Sequence, residues 1–122
     1  MINRFIYILL LLVLVVHSKA QQPDIDSLRH EIEIAQNDTV KMVLFITITE
    51  AYKELKSDSS FYFAERILPI ARKFNFKLNE ADALAQMGYA LMNMGNYPRS
   101  LQTLLSALAI AKDPKSEKKY PS

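Results

Sequence analysis

Apolar positions recur along most of this chain at three- and four-residue spacing, the period of a helix with one buried face. The clearest stretch runs from Ala81 to Pro114. It predicts one helix from about Glu80 to Met94, a tight turn at Gly95-Asn96, and a second helix from Tyr97 to about Lys112. Gly95 suits the left-handed conformation that closes a helix, and Asn96 caps the next one. Pro98 falls in the first turn, where its missing N–H costs nothing. Pro114 stops the second helix.

Upstream, Ile25, Leu28, Ile32 and Ala35 make one helical face, with Asp24 or Asp26 as cap and Asn37 as the helix end. Ile34 falls off that stripe. Thr39 to about Lys56 predicts a second helix with Val40, Leu44, Phe45, Ile48, Ala51, Tyr52 and Leu55 inward. Its run Val43–Thr49 is β-branched enough to pass for a strand, but the stripe keeps helical period to Leu55. Phe61 to about Phe76 predicts a third helix, with Asn75 at its end and Asn79 capping the next. Pro69 lies inside it and predicts a kink; a stop at Leu68 followed by a restart is the alternative.

The pattern also repeats. Phe61, Ala64, Ile67, Leu68 and Ala71 fall on Leu101, Leu104, Ala107, Leu108 and Ala111 at a shift of 40. Phe45, Ile48, Ala51 and Tyr52 fall on Leu84, Met87, Ala90 and Leu91 at 39. A helical hairpin recurring at this length is a solenoid signature. The fold class expected is all-α: a helical-hairpin solenoid of about five helices after an N-terminal export segment.

That segment has a basic start at Arg4, an unbroken apolar run from Phe5 to Val16, and small residues at Ser18 and Ala20. This is the pattern of a secretory signal peptide with cleavage after Ala20. Twelve helical residues rise about 18 Å, short of a roughly 30 Å hydrocarbon core. A membrane anchor left uncleaved is the competing reading. The expected organisation is a signal peptide over 1–20, a leader and N-terminal helix over 21–38, a degenerate repeat over 39–78, a clear repeat over 79–114 and a polar tail over 115–122.

Composition changes the picture only after that segment is set aside. The segment holds Arg4 and Lys19 and no acid, so 15 basic against 13 acidic residues become 13 against 13. A net charge of zero gives no support for nucleic-acid binding or for a stable hold on an anionic membrane. There is no cysteine, hence no disulfide, thiol chemistry or cysteine metal site.

No catalytic residue, cofactor site or metal site is expected. His30 lies on a polar helix face beside Arg29 and Glu31, with no nucleophile suggested nearby. Glu50 and Glu54 are one turn apart but lack a histidine partner for a metal. Gly88 and Gly95 carry no phosphate-loop pattern. Asn37-Asp38-Thr39 fits a glycosylation acceptor, but helix capping already accounts for all three residues.

Ala81–Pro114 resembles a tetratricopeptide repeat (TPR). The family's slots hold Leu84, Met87-Gly88, Leu91, Gly95-Asn96-Tyr97, Ser100, Leu104 and Ala107. Leu91, Ser100 and Leu104 depart from the usual Tyr, Ala and aromatic residue, and the proline is displaced to Pro114. The upstream copy is weaker: Tyr52 fills the Tyr slot, but Thr49 stands where Gly88 stands and the turn has no Gly. The signal segment, followed by Asp26-Ser27-Leu28 to Asn37-Asp38-Thr39 and the repeats, is also similar to the exported repeat regions of bacterial sensor histidine kinases and related regulators.

The resemblance implies a non-enzymatic scaffold, periplasmic or secreted, that holds a peptide or partner protein in a concave groove lined by the first helix of each hairpin. By matched slots that face includes Thr47, Glu50, Lys53 and Glu54 in the first copy. In the second it includes Asp82, Gln86, Tyr89, Met92 and Asn93. Tyr89 is the anchor candidate, against the simpler account of a surface tyrosine packing on its own helix. The last helix offers Leu101, Leu104, Leu105, Leu108 and Ile110 with no following helix to cover them. The chain is therefore expected to be incomplete, or to pair through that helix with another chain.

Overall fold

The computed structural model describes residues 2–20 and 23–116. The element order is α1 (Ile2–Ala20), α2 (Ile25–Ile34), α3 (Asp38–Tyr52), α4 (Ser57–Lys73), α5 (Lys77–Asn93) and α6 (Tyr97–Lys112). There is no strand among the described residues, so Val43–Thr49 is helical. Gln21, Gln22 and most of the expected polar tail lie outside the described residues.

From α2 onward each helix packs on the next, and α3–α4 and α5–α6 are the two hairpins. The main core joins Met42 of α3, Ala64, Ile67, Leu68 and Ala71 of α4, Ala83, Leu84 and Met87 of α5, and Ala107 of α6. A smaller core joins Leu28, Ile48 and Phe63, with Ile25, Ile32 and Tyr52 packed against it. Each fully buried Leu, Ile or Met contributes roughly 1.5–3 kcal/mol.

Several helix ends differ from expectation, each for a local reason. Asn37 does not close α2, which ends at Ile34; it caps α3, its side chain accepting from Thr39 N at 2.9 Å and Val40 N at 3.3 Å. Its φ of −101° is extended, not left-handed. α4 begins at Ser57 rather than Phe61, so the Ser57–Ser60 cluster is its first turn. α5 begins at Lys77, which puts Asn79 inside the helix and buried rather than at a cap. Asn75 does take the left-handed conformation, with φ 56°. It closes α4 while Phe76 N donates to Ala71 O at 2.8 Å. Gly95, with φ 81°, closes α5 the same way, Asn96 N donating to Leu91 O at 2.9 Å.

α4 runs unbroken through Pro69, so the stop at Leu68 does not occur. The proline is exposed, and so is Glu65, whose carbonyl it leaves without its helical donor. Val40 and Leu55, expected inward, are exposed, whereas Met42 and Phe63 are core residues outside the predicted stripes.

α1 stands apart. Its large side chains from Ile2 to Val13 are all exposed, around the whole circumference of the helix. Among the described residues, no helix is long and apolar enough to cross a membrane.

Candidate interaction face

The first helices of the two hairpins, α3 and α5, present their polar stripes side by side. α3 is fixed by its Asn37 cap and by Met42 and Ile48, both fully buried. α5 is fixed between α4 and α6 by Ala83, Leu84, Met87, Ala90 and Leu91. The start of α5 is also tied to the end of α4. Buried Glu80 accepts from Arg72 Nε at 2.9 Å and Lys77 Nζ at 3.3 Å. Burial pushes its carboxyl pKa up, but these two hydrogen bonds outweigh it and hold the group below the usual glutamate value.

Five of the nine residues expected on this face meet there. Tyr89 donates its hydroxyl to Glu54 Oε1 at 3.0 Å, and Gln86 Nε2 donates to Glu50 Oε2 at 3.3 Å. Lys53 lies 3.7 Å from Glu50 Oε1 and 5.3 Å above the centre of the Tyr89 ring. Tyr89 is thus more than a surface residue packed on its own helix: it is bonded to Glu54, in the turn that follows α3.

The other four residues lie elsewhere on the two stripes. Thr47 turns its hydroxyl back to the Val43 carbonyl of its own helix, at 2.9 Å. Asp82, Met92 and Asn93 are exposed at helical spacing along the same stripe of α5. The arrangement can accept hydrogen bonds and positive charge through its carboxylates, and it offers one aromatic ring already fixed in place. Among the described residues, no group of three or more His, Asp or Glu is placed to hold a metal ion.

Reasoning from sequence missed a second cluster. Arg29 of α2 donates to the Tyr52 hydroxyl from Nε at 3.3 Å and Nη2 at 3.0 Å, which raises the guanidinium pKa. Its guanidinium lies 5.6 Å from the Phe63 ring centre, and the Tyr52 and Phe63 rings stack at 5.9 Å. An open cavity of about 330 Å³ beside it is lined by Arg29, Asp58, Ser59, Tyr62 and Phe63. The signal for it was the density of aromatic residues at Tyr52 and Phe61-Tyr62-Phe63, which has no counterpart in the second hairpin.

The hairpins also carry one bond in common. Ser100 Oγ donates to the Gly88 carbonyl at 2.7 Å, and Ser60 Oγ donates to the Thr49 carbonyl at 3.2 Å, both buried. These pairs occupy matching slots of the repeat, so the structure supports two copies of one unit. No curated protein and no solved structure matches this chain. A family described as the SusR N-terminal TPR domain does match it, over residues 16–120. With matched repeats, all-helical hairpins and a family match over most of its length, the chain belongs to the SusR N-terminal TPR domain family.

Proposed function

We propose that this chain is a non-enzymatic protein–protein interaction scaffold whose concave α3–α5 face holds a peptide or a partner protein. The observation that carries this reading is the bonding of Gln86 to Glu50 of α3 and of Tyr89 to Glu54 in the turn after it. A face whose side chains are fixed before the partner arrives loses less entropy on binding. Replacing Tyr89 and Gln86 together by alanine tests it. Partner capture by the purified chain is abolished while far-ultraviolet circular dichroism is unchanged; undiminished capture would sink the reading.

Export is part of the same proposal. A helix whose described side chains are apolar and exposed all round suits a signal segment and does not suit a water-exposed part of a folded domain. Mass spectrometry of chain recovered from a bacterial periplasm is expected to show an N terminus at Gln21. Full-length chain found only in the membrane fraction would support the anchor instead. By its resemblance to exported repeat regions of sensor proteins, the scaffold is assigned to the sensing part of a signalling protein.

A second reading is favoured by α6, where Leu101, Leu105 and Leu108 are 61%, 55% and 47% exposed. At the positions of α4 that match Leu101 and Leu108, Phe61 is half-buried and Leu68 is in the main core, while Leu105 matches the exposed Glu65. An uncovered leucine row of this kind pairs with another chain. Sedimentation that shows only monomer up to high concentration would sink this pairing without touching the groove.

A further inference from the structure

The chemistry of the partner can be read from α3, given the reading of the α3–α5 face above. One exposed row runs along α3 through Val40, Val43, Ile46 and Glu50 and on to Glu54 in the turn after it. At the matching positions α5 has Asn79, Asp82, Ala85, Tyr89 and Asn93. The hairpin therefore does not need an aliphatic residue at the second of these positions; at the third, Ala85 is apolar and packs against the main core. Exposed β-branched residues also weaken a helix slightly. Yet Val43 and Ile46 are 39% and 37% exposed.

The other end of the row is acidic. Glu50 lies in the last turn of α3 and Glu54 in the turn just after it, two like charges on one side of the face. Both are positioned by neutral donors, the Gln86 amide and the Tyr89 hydroxyl. Lys53 stands against the pair as one ammonium against two carboxylates, and its contact at 3.7 Å is with Glu50. A carboxylate has room for several donors, so each glutamate can still accept from outside. Ile46 lies about 6 Å along the helix axis from Glu50, and Val43 about 10 Å.

From this charge complementarity and spacing we infer that the α3–α5 face selects a cationic segment. Its Lys or Arg side chains meet Glu50 and Glu54, and its aliphatic side chains lie on Val43 and Ile46. A helix with aliphatic and basic residues three or four apart fits this spacing, and an acidic segment is repelled.

Fluorescence anisotropy of the full-length chain with two labelled amphipathic peptides tests it, one of leucine and lysine and the other of leucine and glutamate. The leucine–lysine peptide is expected to bind at least ten-fold tighter in dilute salt, with the advantage shrinking as salt rises. The isosteric pair Glu50→Gln with Glu54→Gln reduces its affinity about ten-fold, and Val43→Ser with Ile46→Ser does the same. Glu31→Gln with Glu33→Gln on α2 leaves it unchanged, and helicity is constant throughout. A preference for the leucine–glutamate peptide that disappears in Lys53→Ala would overturn the charge selectivity and leave the groove standing. Binding that ignores α3 and falls with Leu101→Ser and Leu105→Ser would overturn the groove as well. Failure of both peptides to bind overturns the inference.

Discussion

The two hairpins build one crossing from different side chains. In α5–α6, Gly88 has no side chain and Leu104 fills the space. A Cβ at Gly88 would lie 2.6 Å from Leu104 Cγ and Cδ2. In α3–α4 the matching residues are Thr49 and Ala64, both buried. Bulk has moved from the second helix to the first, and the total is roughly kept. The serine-to-carbonyl bond is common to both. At the crossing itself the Thr49 hydroxyl oxygen is buried with no hydrogen-bond partner, and Gly88 places no such group there. The repeat therefore constrains a pair of volumes and one hydrogen bond, rather than a glycine at a fixed place.

Transplanting one half of the pair is the strongest way to break this comparison. Gly88→Thr puts a branched side chain against Leu104 and is expected to cost about 2–3 kcal/mol, the usual range for overpacking. Adding Leu104→Ala, which completes the first hairpin's solution, is expected to restore about 1–2 kcal/mol, as neighbouring core residues couple strongly. Urea denaturation of the four proteins in the cycle measures this. An equal cost for Gly88→Thr in both backgrounds would mean that the two positions are not complementary.

The junction between the hairpins is next in size. Glu80, whose side chain is 8% exposed, joins the end of α4 to the start of α5 through Arg72 and Lys77. Charge-assisted bonds of this kind contribute about 1.5–3 kcal/mol, so Glu80→Gln is expected to lose about 2 kcal/mol at neutral pH. The pKa is lowered in the folded state. The stabilisation is therefore complete above the unfolded glutamate value, about 4.3, and is lost as pH falls through the lower folded value. In Glu80→Gln that part of the acid dependence disappears. A variant whose urea midpoint falls in parallel with the wild type below pH 4 would rule Glu80 out as its source.

These same positions show how far the amino-acid sequence alone specifies the turns and faces. Turn chemistry was legible wherever one residue type has one use, as at Gly95 and Pro98. Asparagine was ambiguous because it serves both as a left-handed closer and as an N-cap. Asn75 does the first, Asn37 the second, and Asn79 neither. The start of α4 was hidden because its cap residue, Lys56, makes no side-chain capping bond. Stripe reasoning misplaced Val40 and Leu55 because periodicity defines a face without saying whether a neighbour covers it. Slot matching found the α3–α5 face. Its bonds join residues 35 and 36 apart, and those depend on how the helices cross.

The shared serine bond gives a smaller contrast. Ser100→Ala and Ser60→Ala each remove one buried hydrogen bond, worth about 1 kcal/mol. The loss is expected to be larger for Ser100, whose bond is 2.7 Å against 3.2 Å for Ser60. Thermal melts of the two variants measure it, and the reverse order would show that Ser60 stabilises its hairpin through packing instead.

The smallest effect comes from the two left-handed closers. Asn75 and Gly95 hold φ 56° and 81°, and each is followed by a residue donating to a carbonyl five positions back. An L-residue in this region carries a steric cost that asparagine only partly escapes, whereas glycine carries none but is looser when unfolded. The two terms nearly cancel. Asn75→Gly is therefore expected to gain no more than about 0.5 kcal/mol, and Gly95→Asn to lose a similar amount. Nothing lies within 4 Å of a Cβ placed on Gly95, so any loss there reports backbone conformation alone. If urea midpoints show Asn75→Gly to be destabilising, the asparagine side chain is holding the junction beside Glu80, and the two turns differ in more than their backbone.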